Sequence, residues 1–242
     1  MRNIITIVFA LLLFAIPAIR PLIPSELEPT HNIAIVASIV LFLAHQIMLV
    51  WNPSIPKEDI NSKFPFFQRV LAEVKKNMAD EIERCNPQKA ITADNFRLNV
   101  MLPVKRRFLF GRARIKIFFY TDQYTEQERN IYWYKGKKGS GTCGEAWNLA
   151  QPVIFDNNNP DYRQPKNRLD DKQMAIARIV QIRSVLSFPI WGLRKNRIIG
   201  VLNLDSDHNV DRAFFDQKNV IDRGLQEAHF IAYILPGRVV AV

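Results

Sequence analysis

Residues 184–207 read SVLSFPIWGLRKNRIIGVLNLDSD, and this stretch decides the fold class of the chain. Residues 184–191 and 197–207 are rich in β-branched and other apolar side chains, which is typical of strands in a covered sheet. Residues 192–196, between them, begin with glycine and end with asparagine, two residues that favour turns. The stretch therefore predicts two adjacent strands joined by a turn.

Helices are predicted on both sides of this hairpin. Residues 67–86 carry apolar side chains three or four positions apart, the spacing of an amphipathic helix. Residues 216–235 show a similar apolar stripe and end before Pro236 and Gly237. A further helix is predicted over residues 170–182, where apolar residues recur at helical spacing.

Further strands are predicted at residues 96–103, 114–121, 131–135 and 152–156. Within the second of these, Ile115, Ile117 and Phe119 alternate with Lys116 and Phe118, which predicts one covered face. Along the chain, the predicted strands lie between a first and a last helix, and one further helix is inserted among the strands. This order indicates an α+β fold with an antiparallel sheet.

Composition narrows the class of protein. The chain has 242 residues, of which 48% are hydrophobic and 23% charged, and this excludes a disordered or low-complexity chain. Two cysteines, Cys85 and Cys143, exclude a disulfide-dense secreted scaffold and a zinc site built mainly from cysteine. The four histidines show no metal-ligand spacing, so no metal site is predicted.

Two apolar runs near the N-terminus predict a transmembrane hairpin with spans at residues 4–23 and 33–51. The short loop between them contains Pro21, Pro24 and Pro29, which prevent one continuous helix. An alternative interpretation of the first run is a cleavable signal sequence, but no small-x-small cleavage site follows it.

The charge distribution predicts the orientation of this hairpin. Arg2 and Arg20 balance Glu26 and Glu28 within residues 1–51, so the whole net charge of +10 lies beyond residue 51. Because basic flanks stay in the cytoplasm, we expect an inner-membrane, multi-pass protein with a cytoplasmic C-terminal part. The predicted division is a hairpin over residues 1–51, a linker over 52–65, a cytoplasmic domain over 66–235 and a tail over 236–242.

Four segments of the cytoplasmic part resemble the GAF domain family. They are KGSGTCGEAWNLAQPVIFD, SVLSFPIWG, RIIGVLNLDSD and FFDQKNVIDRGLQEAHFIAYIL, and they occur in the family's order. The resemblance implies a six-stranded antiparallel sheet with helices on both faces. It also implies a homodimer through the first and last cytoplasmic helices, and a small-molecule pocket on the other face of the sheet.

The family layout places candidate ligand-binding residues around that pocket. They are Phe119, Cys143, Gly144, Trp147, Tyr162, Arg183 and Asn203. Members that bind cyclic nucleotides carry an Asn-Lys pair where this chain has Ser206 and Asp207, so that motif is broken here. No cofactor is predicted, and the identity of the small ligand stays open.

The resemblance also raises an enzymatic alternative, because one branch of the family reduces free methionine sulfoxide with cysteines. Cys143 resembles a cysteine position of that branch, but Ala175, Ala177 and Arg178 stand in the neighbourhood of its nucleophile. No Walker motif, dinucleotide fingerprint or paired catalytic carboxylates occur in the sequence. The sequence therefore predicts no catalytic residues and a protein that is not an enzyme.

Two basic groups have both a functional and a structural interpretation. The first consists of Lys105, Arg106, Arg107, Arg112, Arg114 and Lys116, and the second of Lys135, Lys137 and Lys138. The first could contact the anionic cytoplasmic leaflet, the second an anionic ligand, and either could be a solvated surface. Sparse aromatic residues between the basic ones argue against nucleic-acid binding.

Three functions follow as hypotheses. The leading one is a membrane-anchored sensory module that binds a small ligand and signals through dimer helices to its spans or to a separate output protein. The second is an effector that perturbs the membrane when a nucleotide signal reaches the cytoplasmic domain. The third is a scaffold that binds no ligand.

Overall fold

The computed structural model describes residues 57–85, 87–88, 92–104, 113–121, 124–136, 139–162, 169–194 and 197–235. The predicted spans at residues 4–23 and 33–51, the first part of the predicted linker and the tail lie outside these residues. Within the described ranges, no helix is both long enough and apolar enough to cross a bilayer.

Six strands form one sheet in which every neighbouring pair is antiparallel. They are β1 Phe96–Val104, β2 Arg114–Tyr120, β3 Trp133–Tyr134, β4 Val153–Asp156, β5 Ser184–Trp191 and β6 Ile198–Ser206. Their spatial order is β3-β2-β1-β6-β5-β4. The two strands predicted from residues 184–207 are therefore confirmed as neighbours at the centre of the sheet.

Six α-helices accompany the sheet in the described residues. They are α1 Lys57–Cys85, α2 Glu126–Arg129, α3 Gly141–Leu149, α4 Asp171–Val180, α5 Val210–Ala213 and α6 Lys218–Ile234. Residues 57–65, which the sequence placed in an irregular linker, are helical and belong to α1. Pro65 lies inside this helix, where it removes one backbone donor.

The helices α1 and α6 cover one face of the sheet, here called the helix-pair face. The predicted stripe of α1 is confirmed, since Phe67, Leu71, Val74, Met78 and Ile82 are all buried. They pack against the inward side chains of the central strands and against α6 in one apolar cluster. Burial of this cluster removes apolar surface from water, which is the main source of stability in a domain of this size.

A β-bulge in β2 changes which face its side chains occupy. Val100 pairs with Phe119 but Met101 pairs with Ile117, so Phe118 is an extra residue without a partner. Ile117 therefore joins the apolar cluster on the opposite face, whereas Phe119 joins the cluster of the helix-pair face. The expectation that Ile115, Ile117 and Phe119 share one face is wrong, because a bulge interrupts the two-residue period.

The opposite face, here called the α3 face, is covered by α3 and by the segment around α2. Its apolar cluster is smaller and includes Met101, Ile115, Cys143, Ala146 and Val201. The helix α3 packs against β3, β4, β5 and β6. The α3 face also carries most of the buried polar side chains of the central strands, which are described next.

Candidate functional site

The glycine-rich turn allows α3 to lie close to the sheet. Gly141, the first residue of α3, has a φ of +53°, a conformation that other residues rarely adopt. A Cβ atom added to Gly144 would lie 2.2 Å from the carbonyl oxygen of Tyr134, so no larger residue fits there. This short helix therefore follows a glycine turn, and glycine is needed for its close approach to β3.

Cys143 and Asn203 meet at the centre of the α3 face. Both are almost fully buried, and the Cys143 thiol donates a hydrogen bond to the Asn203 side-chain oxygen at 3.1 Å. The Ser187 hydroxyl donates to the same oxygen, while the Asn203 amide donates to Asp205. Trp147, one turn further along α3, is half-buried against this cluster with Lys135 Nζ 5.5 Å from its ring centre.

These residues belong to a polar row that crosses the three central strands. Asn99 on β1 lies opposite Asn203 on β6, which in turn lies opposite Ser187 on β5. Two residues along, Arg97 lies opposite Asp205. Because alternate residues of a strand share a face, all five side chains are carried on the α3 face.

An ion-pair and hydrogen-bond network occupies one end of this row. Arg97 pairs with Glu128 of α2 at 3.0 Å and with Asp205 at 3.2 Å, and its guanidinium carbon lies 4.3 Å from the ring centre of Tyr124. The Tyr124 hydroxyl donates to Asp205 at 2.8 Å and accepts from the Asn99 amide at 2.8 Å. We call these five residues, Arg97, Asn99, Tyr124, Glu128 and Asp205, the Arg97 network.

Burial controls protonation within the network. Burial raises the pKa of the Asp205 carboxyl above its usual range, and the nearby Arg97 charge opposes that rise. Burial and then the charge of Asp205 raise the pKa of Tyr124 well above its ordinary value. Burial alone lowers the pKa of Arg97, but its interactions with Tyr124, Asp205 and Glu128 outweigh this and raise it. The arginine therefore remains charged, and the tyrosine remains a hydrogen-bond donor.

The Cys143 thiol is poorly suited to nucleophilic chemistry. Burial, followed by the charge of Asp205, raises its pKa, which keeps the sulfur protonated at neutral pH. Cys85 packs against the cluster of the helix-pair face, whereas Cys143 belongs to the cluster of the α3 face. The two sulfurs are thus on opposite sides of the sheet, which does not favour thiol–disulfide exchange between them.

The structure brings together only some of the residues proposed to bind a ligand. Cys143, Gly144, Trp147 and Asn203 lie in or beside one site on the α3 face. Phe119 does not join them, because its ring stacks on Phe67 of α1 with centroids 3.9 Å apart.

Tyr162 and Arg183 also lie apart from this site. The Tyr162 hydroxyl donates to Asp216 at 3.1 Å, and its ring packs against the cluster of the helix-pair face. The Arg183 side chain is exposed, and its backbone bonds to Asn157 and Ser206. The order of motifs located α3 and β6 correctly but could not resolve which side chains of the connecting segments reach the site.

Of the first basic group, only Arg114 and Lys116 lie within the described residues. The Arg114 guanidinium carbon lies 4.0 Å from the ring centre of Tyr132, and Lys116 Nζ lies 5.6 Å from that of Phe118. Lys105, Arg106, Arg107 and Arg112 lie outside the described residues, as do Lys137 and Lys138 of the second group. Leaflet contact by the first group stays a prediction.

Sequence reasoning missed the Arg97 network. The available signal was the alternation of polar and apolar residues in FRLNV, residues 96–100, and in LNLD, residues 202–205. In each segment the polar residues recur at every second position, which indicates one polar face on a central strand. A polar face that is also covered marks a buried polar site, but coverage by α2 and α3 cannot be deduced from this alternation.

In comparison with protein families, residues 101–220 match the model described as GAF domain. This match supports a GAF domain. The matched residues include the last four residues of β1, all of β2 to β6 and the first residues of α6. They contain α3 and the strands β4, β5 and β6 against which it packs, whereas Arg97 and Asn99 of β1, together with α1 and most of α6, lie outside the match. Among curated proteins, none matches the chain.

Solved structures similar to this chain include free methionine-R-sulfoxide reductase from Neisseria meningitidis in complex with its substrate. It is 18% identical, the alignment covers 78% of this chain and 93% of that one, and the TM-score is 0.41. The nlh2 GAF domain of A. aeolicus in an inactive state is 12% identical, with 70% and 93% covered and a TM-score of 0.36.

A third similar structure is a mutated NreA protein, altered in its nitrate binding site, from Staphylococcus aureus. It is 14% identical, with 54% of this chain and 87% of that chain covered, and the TM-score is 0.34. The likeness to GAF domains rests on the family match over residues 101–220, and the described residues there form an antiparallel sheet with helices.

Proposed function

We propose that this chain is a membrane-anchored sensory module whose GAF domain binds a small ligand on the α3 face. The observation that carries the proposal is the row of buried polar side chains across β1, β6 and β5, formed by Arg97, Asn99, Asn203, Asp205 and Ser187. A sheet that needed only stability would bury apolar residues there, because buried polar groups require partners to offset their desolvation. Specific recognition of a polar ligand accounts for them.

The helix-pair face supplies the connection from this site to the rest of the chain. The strands β1 and β6 carry polar side chains on the α3 face and apolar ones, such as Leu98 and Leu204, on the helix-pair face. A shift of these strands on ligand binding therefore reaches α1 and α6 directly. A ligand moves such an equilibrium only if it binds the two arrangements with different affinities.

The helix α1 begins at Lys57, six residues after the predicted second span ends at residue 51. A connection this short favours transmission from α1 to the predicted spans. The charge distribution of residues 1–51 supports the cytoplasmic, inner-membrane location of the GAF domain. A separate output protein is an alternative receiver.

Exposed aromatic residues on α6 support the proposed homodimer. Phe230 and Tyr233, which are three positions apart, are 49% and 63% exposed. Residues three apart lie on one side of a helix, so the two rings form part of one surface. Large exposed apolar side chains that cluster in this way are typical of protein–protein contacts.

A ligand-free scaffold is a second candidate, and one observation favours it. The side chains of the Arg97 network occupy the described part of the α3 face. They supply most of one another's hydrogen-bond and charge partners, as the bonds among Arg97, Glu128, Asp205 and Tyr124 show. In a scaffold these bonds would define a unique core, and no ligand would be needed.

Titration of the purified full chain with a panel of small metabolites distinguishes the two candidates. Binding is followed by calorimetry and by the shift in the thermal unfolding midpoint, which a ligand of the folded state raises. For a sensor, at least one compound binds, and Asn99→Leu weakens it while Asn130→Leu, at an exposed position, does not. Failure of every class of compound to bind would favour the scaffold.

The anchoring is tested separately in intact cells. A membrane-anchored chain sediments with the membrane fraction, and protease added from outside leaves the GAF domain undigested. Recovery of the whole chain in the aqueous fraction would contradict anchoring and leave ligand binding to be judged on the titration.

A further inference from the structure

The Arg97 network contains more negative than positive charge. It holds one arginine and two carboxylates, Glu128 and Asp205, and each of the three is at most 9% exposed. Within the described residues, the ion pairs of both carboxylates are made with Arg97 alone. An uncompensated buried carboxylate is costly, so this arrangement is improved by any additional cation or proton that reaches it.

A second observation identifies the kind of group that is missing. The Tyr124 hydroxyl donates its hydrogen to Asp205, so its oxygen is left to accept a hydrogen from Asn99 Nδ2. This fixes the orientation of the Asn99 amide and leaves its Oδ1 atom as a hydrogen-bond acceptor. That atom is buried without a partner, and the residue is 1% exposed.

The free acceptor and the excess charge lie close together. Asn99 and Asp205 both bond to the same hydroxyl oxygen of Tyr124, each at 2.8 Å. The two acceptor residues are therefore separated by a single hydroxyl group. A buried acceptor left unsatisfied is rare in folded proteins and reports on a missing donor.

We propose that the ligand of the α3 face is a small organic cation with N–H donors, an alkylammonium or alkylguanidinium, held by Asp205 and Asn99. The inference rests on the proposed ligand-binding function and names its chemical class. The cation donates a charge-assisted hydrogen bond to the Asp205 carboxylate and a second hydrogen bond to Asn99 Oδ1.

The proposed ligand carries the same sign of charge as the chain as a whole. A net charge of +10 and the basic groups favour anions at the outer surface. Inside the α3 face, however, the local charge balance has the opposite sign. Discrimination between ligands at a buried site is set by the groups that face the ligand, because solvent does not screen them.

The test compares compounds of similar size that differ in charge. Butylammonium, butylguanidinium, butyrate and butanol are each titrated into the purified full chain, and binding is measured by ligand-observed NMR and by the thermal midpoint. We expect the two cations to bind and to raise the midpoint, and butyrate and butanol to do neither.

Matched variants test whether the cation binds in the Arg97 network. Asp205→Asn should weaken cation binding about tenfold or more, the loss typical of one hydrogen bond to a charged group. Asp207→Asn, two positions along with a side chain 59% exposed, should leave it unchanged. If circular dichroism shows that Asp205→Asn does not fold, Asn99→Leu with the exposed Asn130→Leu as its control replaces this pair.

The outcomes separate this inference from the proposed function. Binding of butyrate or of an anionic metabolite to the α3 face, without binding of the cations, overturns the cation assignment and leaves the sensory function intact. Cation binding that is equal in Asp205→Asn and Asp207→Asn overturns the assigned site. If no compound of any charge binds, both the inference and the proposed function fail.

Discussion

The same strands bury mainly apolar side chains on one face of the sheet and a polar network on the other. On the helix-pair face, α1 and α6 bury an apolar cluster that includes Phe67, Phe119 and Phe188. On the α3 face, the same central strands bury the Arg97 network beside a much smaller apolar cluster. Apolar packing stabilises without strict direction, whereas each member of a polar network depends on a particular partner.

The contrast indicates where specificity lies in this domain. Substitutions on the helix-pair face should change stability in proportion to the volume removed. Substitutions on the α3 face should depend on which partner is left unpaired, and a second substitution can reverse the first. The following predictions test this difference, in order of decreasing effect.

Phe67→Ala should have the largest effect, because it removes a fully buried ring from the helix-pair face. The Phe67 ring is 1% exposed and stacks on Phe119. We expect the free energy of unfolding to fall by about 3–5 kcal/mol, measured by urea unfolding of the full chain. The neighbouring Phe66→Ala, at a position 53% exposed, is the control and should change stability by less than about 0.5 kcal/mol. Equal effects of the two changes would contradict the assigned face of α1.

Arg97→Met should be the most damaging change on the α3 face. It leaves Glu128 and Asp205 without their cation, and breaking a buried pair in this way costs about 3–5 kcal/mol. We expect a loss near 3 kcal/mol, because Asp205 still accepts hydrogen bonds from Tyr124 and Asn203. Arg183→Met, at an exposed position, is the control.

A double variant distinguishes charge compensation by Arg97 from packing by its side chain. If charge compensation is what Arg97 supplies, the double variant Arg97→Met with Asp205→Asn should be more stable than the sum of the two single changes predicts. Strictly additive effects would show that Arg97 acts through packing alone, as residues of the helix-pair face do.

The sequence predicted the strands and helices of both faces better than the positions and contacts of their side chains. The order of strands and helices followed from periodicity, and the α1 stripe was confirmed because a long amphipathic helix has one dominant apolar side. Phe119 was placed on the wrong face because a β-bulge at Phe118 has no simple sequence signature. Tyr162 was expected near Cys143, yet it bonds to Asp216, a long-range contact that spacing along the chain does not reveal.

The Arg97 network could be predicted only in part. The alternation of Arg97 and Asn99 with apolar residues marks one polar face of β1, but a polar face is usually a solvated one. Its burial depends on Tyr124 and Glu128, which lie in and near a four-residue helix too short to show a period. Sites assembled from such segments require the three-dimensional structure.

Gly144→Ala tests the close approach of α3 to the sheet. The added methyl group would lie 2.2 Å from the Tyr134 carbonyl oxygen, so the helix or β3 must move. Overpacking of this kind typically costs about 1–3 kcal/mol, and we expect a loss of about 2 kcal/mol in urea unfolding. Asn148→Ala, on the exposed side of α3, is the control and should have little effect. Equal stability of Gly144→Ala and wild type would show that α3 is not held against β3.

Asp205 should make the stability of the α3 face depend on pH. Because its folded pKa is raised, the unfolded chain releases this proton first as the pH rises above about 4. The group therefore lowers the free energy of unfolding progressively until the pH passes its folded pKa. Asp205→Asn removes this decline, so the variant gains stability relative to wild type as the pH rises. Asp207→Asn controls for the loss of one carboxylate, and an identical profile for both variants would contradict the shift.

Cysteine alkylation should report on the two faces separately. Cys85 is half-buried at the end of α1, whereas Cys143 is 3% exposed and its raised pKa leaves little reactive thiolate. In the native full chain we expect maleimide to modify Cys85 first, as followed by mass spectrometry, and Cys143 only through opening of the α3 face. Arg97→Met should speed Cys143 modification more than that of Cys85, and Phe67→Ala should do the reverse. If both variants accelerate both thiols equally, the two faces open together, and a ligand on one cannot be sensed independently of global unfolding.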